Sequence, residues 1–514
     1  MQGGAMKGNG IDASRLGLLG GPLVAVALMV FGNLDPAHPT ATPMAAIALW
    51  MAIWWLTEAA PLAVTALLPV VLYPLTGVMS GKAVAPVYFN WIIFLFLGGF
   101  MVALAMQKWT LHRRIALRII TAIGGGPRRI VLGFMLATAF LSMWISNTAT
   151  TMMMAPVAMA VIARLADDLG PRRARQFGTA LLLGVAYSAS VGGLATLIGT
   201  PPNPLLVSNF ELMFPGAPEI SFAGWMVLGL PIAVVALAAM WLELSLLYRL
   251  GAPDLVIDHD VLYRERSELG PMSYEEKVVL VDFTLMALLW LTRKGLTIGT
   301  LTLPGWSRLL HHGGMVDDGT VAMTLAVILF LIPSRSEPGT RVMDWHTARK
   351  LPWGIVLLFG GGFALAKGFV ETGLSVWLGA RMVGMSALPT PLLILVICLV
   401  MMLITELTSN TATTQMALPV LASLAVALHL NPLLLMVPAT LSASCAFMLP
   451  VATPPNAIIF GTEQVTIRDM ARTGILLNVF CAGLITLAIY LLGPHAFGMD
   501  LHQVPAWAAH LAAG

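Results

Sequence analysis

The chain has 514 residues, of which 58% are hydrophobic and 10% are charged, and its formal net charge is +3. Its mean hydropathy is +0.86. Soluble domains carry about 25% charged residues, so this composition excludes an ordinary soluble enzyme or binding module and predicts a polytopic membrane protein. Backbone groups in lipid must be satisfied within the chain, and the fold class is therefore predicted to be all-α.

Apolar runs recur along the whole chain, many of them near the roughly 20 residues that cross a bilayer as a helix. Residues 1–40 form an N-terminal segment with the first span, 41–250 and 273–495 form two halves, 251–272 form a polar connector, and 496–514 form a tail. We place about 11 transmembrane helices, near 16–33, 44–58, 61–77, 91–107, 177–208, 221–249, 274–292, 319–334, 353–368, 431–460 and 471–493.

Two further segments, 127–166 and 388–429, each contain an apolar run, the hexapeptide SNTATT and a second apolar run. The two identical copies lie at Ser146–Thr151 and Ser409–Thr414. Each segment is either a pair of separate spans or a re-entrant helical hairpin that enters and leaves the membrane on one side, with the hexapeptide at its tip.

An internal repeat favours the hairpins. A Trp- and Gly-rich span, WIIFLFLGGF at 91–100 and WGIVLLFGGGF at 353–363, precedes each SNTATT copy, and TPPN follows at 200–203 and 453–456. With each segment taken as a hairpin, every repeat has an odd number of spans, so the two copies have inverted topology. Inverted repeats with broken helices are typical of transporters that bind substrate near the bilayer midplane.

Charge supports this topology, because positively charged loops stay in the cytoplasm. Many arginines flank the first hairpin, whereas Lys367 and Arg381 flank the second. Those of the first are Arg113, Arg114, Arg118, Arg128, Arg129, Arg164, Arg172, Arg173 and Arg175. The first hairpin should enter from the cytoplasm and the second from the extracytoplasmic side, with the N-terminus cytoplasmic and the C-terminus extracytoplasmic. The loop 293–318, with Arg293, Lys294 and Arg308, is discordant because the span count places it outside.

The hexapeptides offer hydroxyl and amide groups and good N-cap residues, so each can begin the second helix of its hairpin. A helix N-terminus attracts anions without lysine or arginine, and neither charge occurs in the tips or the TPPN stretches. Proline pairs break helices and free carbonyl oxygens, which are the ligands that hard cations prefer. Two oxygen sets are thereby predicted behind the tips, formed by Ser142, Ser146, Asn147 and the Gly199 carbonyl, and by Thr405, Ser409, Asn410 and the Ala452 carbonyl.

A purely structural interpretation competes with this one, because Ser and Thr in membrane helices often bond the preceding turn or join helices. For one SNT we favour that interpretation. For two identical copies inside an ordered repeat we favour a site. The carboxylates Glu58 and Glu406 are further candidates for ion ligands, although backbone capping is the more common function of such a group beside a helix end.

Longer motifs identify a family. WWLTEAAPLAVTALLPVVLYPLTGV at 54–78, the paired SNT motifs, ITELTSNTATTQMALPV and LPVATPPNAIIFGT resemble the divalent anion–sodium symporter family over nearly the whole chain after the first span. The resemblance implies two re-entrant hairpins, a homodimer in a bacterial inner membrane, and a mobile domain that moves against a fixed one as an elevator. It also implies substrates such as succinate, malate, fumarate or 2-oxoglutarate, co-transported sodium and no organic cofactor.

The resemblance also assigns residues. The anion would contact Ser146, Asn147, Thr148, Ser409, Asn410 and Thr411, in a cavity also lined by Thr200, Pro201, Thr453 and Pro454. The first sodium site would use Ser142, Ser146, Asn147 and Gly199, and the second would use Thr405, Thr408, Asn410 and Ala452.

Other functions are less well supported. Two alternatives are sodium-independent dicarboxylate exchange and symport of sulfate or a tricarboxylate. Because most of these sodium ligands are carbonyls, the identity of the side chains does not exclude the exchanger. An intramembrane enzyme would need a motif such as H-E-x-x-H or G-x-S-x-G in a helix context, and neither occurs. A channel would need charged rings or a carbonyl filter. No ATP-binding motif occurs, and neither ATP nor a nucleic acid is expected as a partner.

Overall fold

The computed structural model describes residues 13–250, 267–298, 301–382, 388–501 and 503–511. Most of the predicted connector, 251–266, lies outside the described residues. The helices of the first half are α1 (Ala13–Phe31), α2 (Ala41–Thr57), α3 (Leu62–Thr65), α4 (Leu68–Thr76), α5 (Gly81–Val84), α6 (Trp91–Lys108), α7 (Leu111–Ile123), α8 (Pro127–Ser142), α9 (Asn147–Gly193), α10 (Pro202–Met213) and α11 (Phe222–Leu247).

The helices of the second half follow an order similar to that of the first half. Its helices are α12 (Tyr274–Thr292), α13 (Asp318–Leu331), α14 (Trp345–Ala348), α15 (Trp353–Glu371), α16 (Leu374–Met382), α17 (Thr390–Thr405), α18 (Asn410–Ala427), α19 (Leu433–Ala443), α20 (Pro454–Phe460) and α21 (Ile467–Phe497). Short 3₁₀ segments lie at Ala85–Tyr88, Trp306–Leu309, Gly313–Met315 and Ala506–Leu511.

The all-α prediction needs one correction. Strands β1 (Gly295–Ile298) and β2 (Leu301–Pro304) pair antiparallel, with Gly295 opposite Pro304 and Ile298 opposite Leu301. The alternation of threonine with leucine and isoleucine in this loop suits a strand better than a helix.

Most predicted spans correspond to single helices, but three are divided. The span near 177–208 separates into the end of α9 and α10, that near 431–460 into α19 and α20, and that near 61–77 into α3 and α4. Five of the described stretches are long and apolar enough to cross a membrane alone: Ala13–Phe31, Gly81–Lys108, Phe222–Leu247, Trp353–Glu371 and Ile467–Phe497. The range of α9 contains two helical stretches that meet at a kink at Gly170, whose φ of 71° and ψ of 161° are not helical. The kink lies between the predicted end of the first hairpin at 166 and the next predicted span near 177.

Helices α7 and α16 are not among the spans predicted from the sequence. Helix α7 buries Leu111, Leu117 and Ile120 on one face. It also carries Arg113, Arg114 and Arg118, so its low overall hydrophobicity hid it from a search for apolar runs. Helix α16 occupies the same place after α15 that α7 occupies after α6.

Glycines in the two Trp- and Gly-rich spans let helices approach closely. A Cβ atom on Gly98 in α6 would lie 2.6 Å from the Ala322 backbone in α13, and one on Gly361 in α15 would lie 2.5 Å from the Ala66 carbonyl. Small residues at such crossings allow dense packing in a membrane, where no hydrophobic effect draws helices together. This explains why both spans are rich in glycine.

The two halves pack into one another. Helix α10 of the first half contacts α15 and α18 of the second, and α20 of the second half contacts α9 of the first. The buried Tyr187 hydroxyl donates to the Phe447 carbonyl at 2.6 Å. The helix that follows each TPPN motif is therefore held against the other half, which brings the two sets of motifs together.

The discordant loop 293–318 contains a buried ion-pair cluster. Arg293, 4% exposed, donates from Nε to Asp318 Oδ1 at 2.5 Å and from Nη2 to Glu219. Lys294 Nζ lies 2.8 Å from Glu219 Oε2. Two of the three positive charges that disagree with the span count are thus held by carboxylates of the protein itself.

Replacing Arg293 by leucine should destabilise the fold. The substitution leaves the carboxylate of Asp318, only 1% exposed, without its cationic partner, and breaking a buried pair in this way costs about 3–5 kcal/mol. The measurement is the thermal unfolding midpoint of the detergent-purified protein. Lys294→Leu is the matched control, because this partly exposed pair with Glu219 contributes about 1 kcal/mol or less. Equal midpoints for the two variants would contradict the assignment.

Candidate functional site

Both hexapeptides lie at the start of a helix. Residues 143–146 connect α8 to α9, and Ser146 is the N-cap of α9, with its Oγ accepting a hydrogen bond from Ala149 N at 3.3 Å. Residues 406–409 connect α17 to α18, and Ser409 is the N-cap without a side-chain bond. Each tip therefore presents free backbone N–H groups of a long helix together with Ser, Asn and Thr side chains.

Each TPPN motif lies at a break between two helices, α9 and α10 in the first half and α19 and α20 in the second. The asparagine of each motif donates hydrogen bonds to backbone carbonyls across its break. Asn203 Nδ2 donates to the carbonyls of Gly193 at 3.1 Å and Thr196 at 2.7 Å. Asn456 Nδ2 donates to the carbonyls of Ala446 at 3.1 Å and Leu449 at 3.0 Å. Both asparagines thus bind the carbonyls ten and seven residues before them, so the two breaks have the same local construction.

All four motifs meet at a cavity of about 650 Å³. Its polar wall includes every residue that the resemblance assigns to the anion: Ser146, Asn147, Thr148, Thr200, Pro201, Ser409, Asn410, Thr411, Thr453 and Pro454. Gly199, Thr408 and Ala452 also line it. Apolar residues of other helices, including Leu62, Phe100, Ile355 and Leu358, complete the wall.

Behind the first tip, oxygen atoms surround the Asn147 side chain. With its nitrogen directed towards these oxygens, the amide donates to Ser142 Oγ at 2.6 Å, Ala189 O at 3.0 Å and Gly199 O at 3.2 Å. Hydroxyl and carbonyl oxygens of this kind are the ligands that hard cations prefer. The predicted residues Ser142, Asn147 and Gly199 therefore lie together, and the Ala189 carbonyl is an addition.

Behind the second tip the arrangement is repeated in part. The fully buried Thr405 hydroxyl lies 2.5 Å from Asn410 Oδ1 and 2.9 Å from the Ala443 carbonyl. The Thr408 hydroxyl is engaged elsewhere, donating to Ile404 O at 2.8 Å and contacting Thr413 Oγ1 at 2.7 Å. The Thr408 hydroxyl is therefore part of a hydrogen-bonded pair with Thr413 beside the tip.

Comparisons with known proteins assign the chain to a family. Residues 23–501 match the profile of the sodium:sulfate symporter transmembrane region. The chain belongs to this family. It is an integral membrane transporter and not an enzyme.

Its relatives include two proteins named sodium-dependent dicarboxylate transporter SdcS. That of Staphylococcus saprophyticus is 44% identical over 494 residues, covering 95% of this chain and 93% of the relative. That of Staphylococcus aureus is 44% identical over 495 residues, with the same coverage.

Solved structures share the fold of this symporter at low sequence identity. The Alcanivorax borkumensis YdaH transporter aligns with a TM-score of 0.51 and 14% identity, over 90% of this chain and all of that one. Neisseria gonorrhoeae MtrF aligns with a TM-score of 0.57 and 13% identity, over 91% of this chain and 98% of that one. At this identity the likeness supports a shared transporter fold and nothing more specific.

The two candidate carboxylates of the symporter have different positions. Glu406, 2% exposed, accepts hydrogen bonds from the backbone N–H groups of residues 447–449 at 2.8–3.1 Å and from Asn478 Nδ2 at 3.0 Å. It therefore holds the chain inside the break between α19 and α20. Glu58 instead lines the cavity, which is the position that an ion-contacting group would need.

Asn203, Asn456 and the carbonyls of Ala189 and Ala443 are absent from the sequence-based candidates. A signal for the asparagines was available, because the last letter of TPPN recurs together with the prolines in both halves. No local signal exists for the two carbonyls, because their positions depend on how α9 and α19 pack behind the tips.

Replacing Glu406 by glutamine should destabilise the symporter. One acceptor oxygen becomes an NH₂ group facing backbone donors, and losing charge-assisted bonds to a buried group costs about 2 kcal/mol. The thermal unfolding midpoint is the readout. Glu58→Gln is the matched control, because the Glu58 side chain makes no hydrogen bond or ion pair with another described residue. A midpoint for Glu406→Gln equal to that of the control would show that the backbone bonds contribute nothing.

Proposed function

We propose that the chain is a secondary active transporter that moves small dicarboxylates, such as succinate, malate, fumarate or 2-oxoglutarate, together with sodium ions. The observation that carries the proposal is the convergence of both SNT tips and both TPPN breaks on one cavity. The staphylococcal relatives support it, because they are named for sodium-dependent dicarboxylate transport.

The anion is recognised by dipoles and hydrogen bonds. Helices α9 and α18 direct their N-termini to the cavity, where partial positive charge and free N–H groups favour carboxylates. Hydroxyl and amide groups of Ser146, Asn147, Thr148, Ser409, Asn410 and Thr411 add donors. A dicarboxylate places one charged group near each tip, and its carbon chain contacts the apolar wall that includes Phe100 and Leu358.

Sodium ions bind behind the tips in this proposal. The first ion takes oxygens from Ser142, Ser146, Asn147 and Gly199, and the second from Thr405, Thr408, Asn410 and Ala452. The oxygen cluster around Asn147 and its partial copy around Asn410 support this assignment. Because Asn147 and Asn410 touch both the cation cluster and the cavity, a bound cation fixes the tip that holds the anion. That shared contact couples the two solutes.

Transport proceeds by alternating access of an elevator type in a homodimer. The first hairpin, 127–166, enters from the cytoplasm and the second, 388–429, from the extracytoplasmic side of a bacterial inner membrane, with the N-terminus inside and the C-terminus outside. The matching order of helices in the halves and the matching bonds of Asn203 and Asn456 support two repeats. Helix α1, whose surface is mostly exposed and apolar, faces lipid or the second copy.

Sulfate is the second candidate anion, because the family description names sodium:sulfate symport. A compact tetrahedral anion has no carbon chain to contact the apolar wall of a 650 Å³ cavity, and this favours the dicarboxylate.

Uptake of labelled succinate into proteoliposomes should require an inward sodium gradient. A panel with malate, fumarate, 2-oxoglutarate, citrate and sulfate as competitors ranks the anions. Potassium in place of sodium is the control. Uptake that ignores sodium but requires dicarboxylate inside the vesicles would replace symport by exchange, and uptake of sulfate without succinate would replace the substrate class.

Asn147→Ala and Asn410→Ala should each reduce sodium-driven uptake by roughly a hundred-fold or more. Each change removes a group that serves both the anion and the cation, and bonds to charged groups contribute about 1.5–3 kcal/mol apiece. The initial uptake rate is measured at matched protein content. Asn33→Ala, in a loop away from the cavity, is the control. Wild-type rates in both tip variants would exclude the tips as the binding site.

A further inference from the structure

The cavity has an unexpected charge for an anion site. Among the described residues that line it, Glu58 is the only charged side chain, and its charge is negative. A bare carboxylate raises the energy of a nearby anion, so its presence needs an explanation beyond anion binding.

The position of Glu58 follows from the end of helix α2. Glu58 is the C-cap, with a φ of 48° and its backbone N–H bonded to the Trp54 carbonyl. The carbonyl end of a helix carries partial negative charge, so α2 adds to the effect of the carboxylate. A left-handed backbone conformation is not unique to Glu58. Glu463, which is exposed and does not line the cavity, also has a positive φ, of 62°.

The electrostatic potential in the cavity is therefore asymmetric. The N-termini of α9 and α18 make one side positive, and Glu58 with the C-terminus of α2 makes part of the wall negative. The Glu58 side chain is exposed and forms no hydrogen bond or ion pair with another described residue, so no protein cation neutralises it there. An anion with two charges can place both of them at the tips. A third negative charge would be repelled by the Glu58 carboxylate.

We propose that Glu58 is a specificity-determining residue that selects dianions over trianions by electrostatic repulsion. The proposal rests on the transport function proposed above and narrows its substrate class to doubly charged acids. The selection works through rejection of the wrong charge, as specific sites commonly do.

The experiment compares two competitors of nearly equal size that differ by one charge. Carboxymethylsuccinate is a trianion at alkaline pH, and carbamoylmethylsuccinate is a dianion. Each is titrated against sodium-driven uptake of labelled succinate, and the ratio of their half-inhibitory concentrations reports charge discrimination independently of the total activity of a variant.

The wild-type protein should bind the dianion more tightly than the trianion. Glu58→Gln should reduce the ratio of their half-inhibitory concentrations by roughly ten-fold, the size expected for one unit charge about 12 Å away at an effective dielectric constant of about 20. Glu58→Asp keeps the charge and should keep most of the discrimination. Glu463→Gln, the control with the same left-handed backbone outside the cavity, should behave as wild type. Glu58→Asn, which tolerates the left-handed conformation well, serves the same purpose if the glutamine variant does not fold.

Three results would overturn the inference. The first is an unchanged ratio in a Glu58→Gln protein that takes up succinate. The second is a change confined to the sodium concentration for half-maximal uptake, which would make Glu58 a cation-binding group. The third is equal loss of discrimination in Glu58→Asp. Failure of the wild-type protein to take up succinate on a sodium gradient is a separate result, and it would overturn the proposed function instead.

Discussion

The site depends on the requirement that every backbone polar group inside a membrane has a partner. Two helices are interrupted where the TPPN motifs lie, and each interruption would leave several carbonyls and N–H groups without partners. Asn203 and Asn456 satisfy carbonyls within the breaks, and Glu406 satisfies three consecutive N–H groups in the second. Irregular backbone is stable there because these side chains complete its hydrogen bonds.

The same arrangement explains how an anion site functions without lysine or arginine. Helix N-termini supply partial positive charge, and small hydroxyl and amide side chains supply directional donors. A guanidinium held in the cavity would bind an anion whether or not sodium was present. Dipoles are weaker, so in the proposed symporter the anion depends on cations bound by the clusters around Asn147 and Asn410. Weak intrinsic binding is thus a condition for strict coupling of the two solutes.

The halves of the chain are similar without being equal. Both contain the tip, the break and the asparagine that holds it, but Glu406 has Met143 as its counterpart next to the first tip. In the first half, Thr196 Oγ1 donates to the Met143 carbonyl at 2.5 Å, so the chain around the first break is held through a hydroxyl instead of a carboxylate. Glu58 likewise contributes to only one side of the cavity. Because of these differences, the two halves contribute different electrostatic potentials to the cavity.

The membrane class, most helices, the repeated motifs and the helix starts at Asn147 and Asn410 could be predicted from the sequence, because composition, apolar length and capping residues act locally. Helices α7 and α16 and the strand pair were missed, because their patterns are short or weakly apolar. Only the tertiary structure decided that both tips share one cavity, that Glu406 binds backbone amides, and that Glu58 faces the cavity. Those outcomes depend on which distant helices pack together, and packing between residues hundreds of positions apart leaves no local pattern to read.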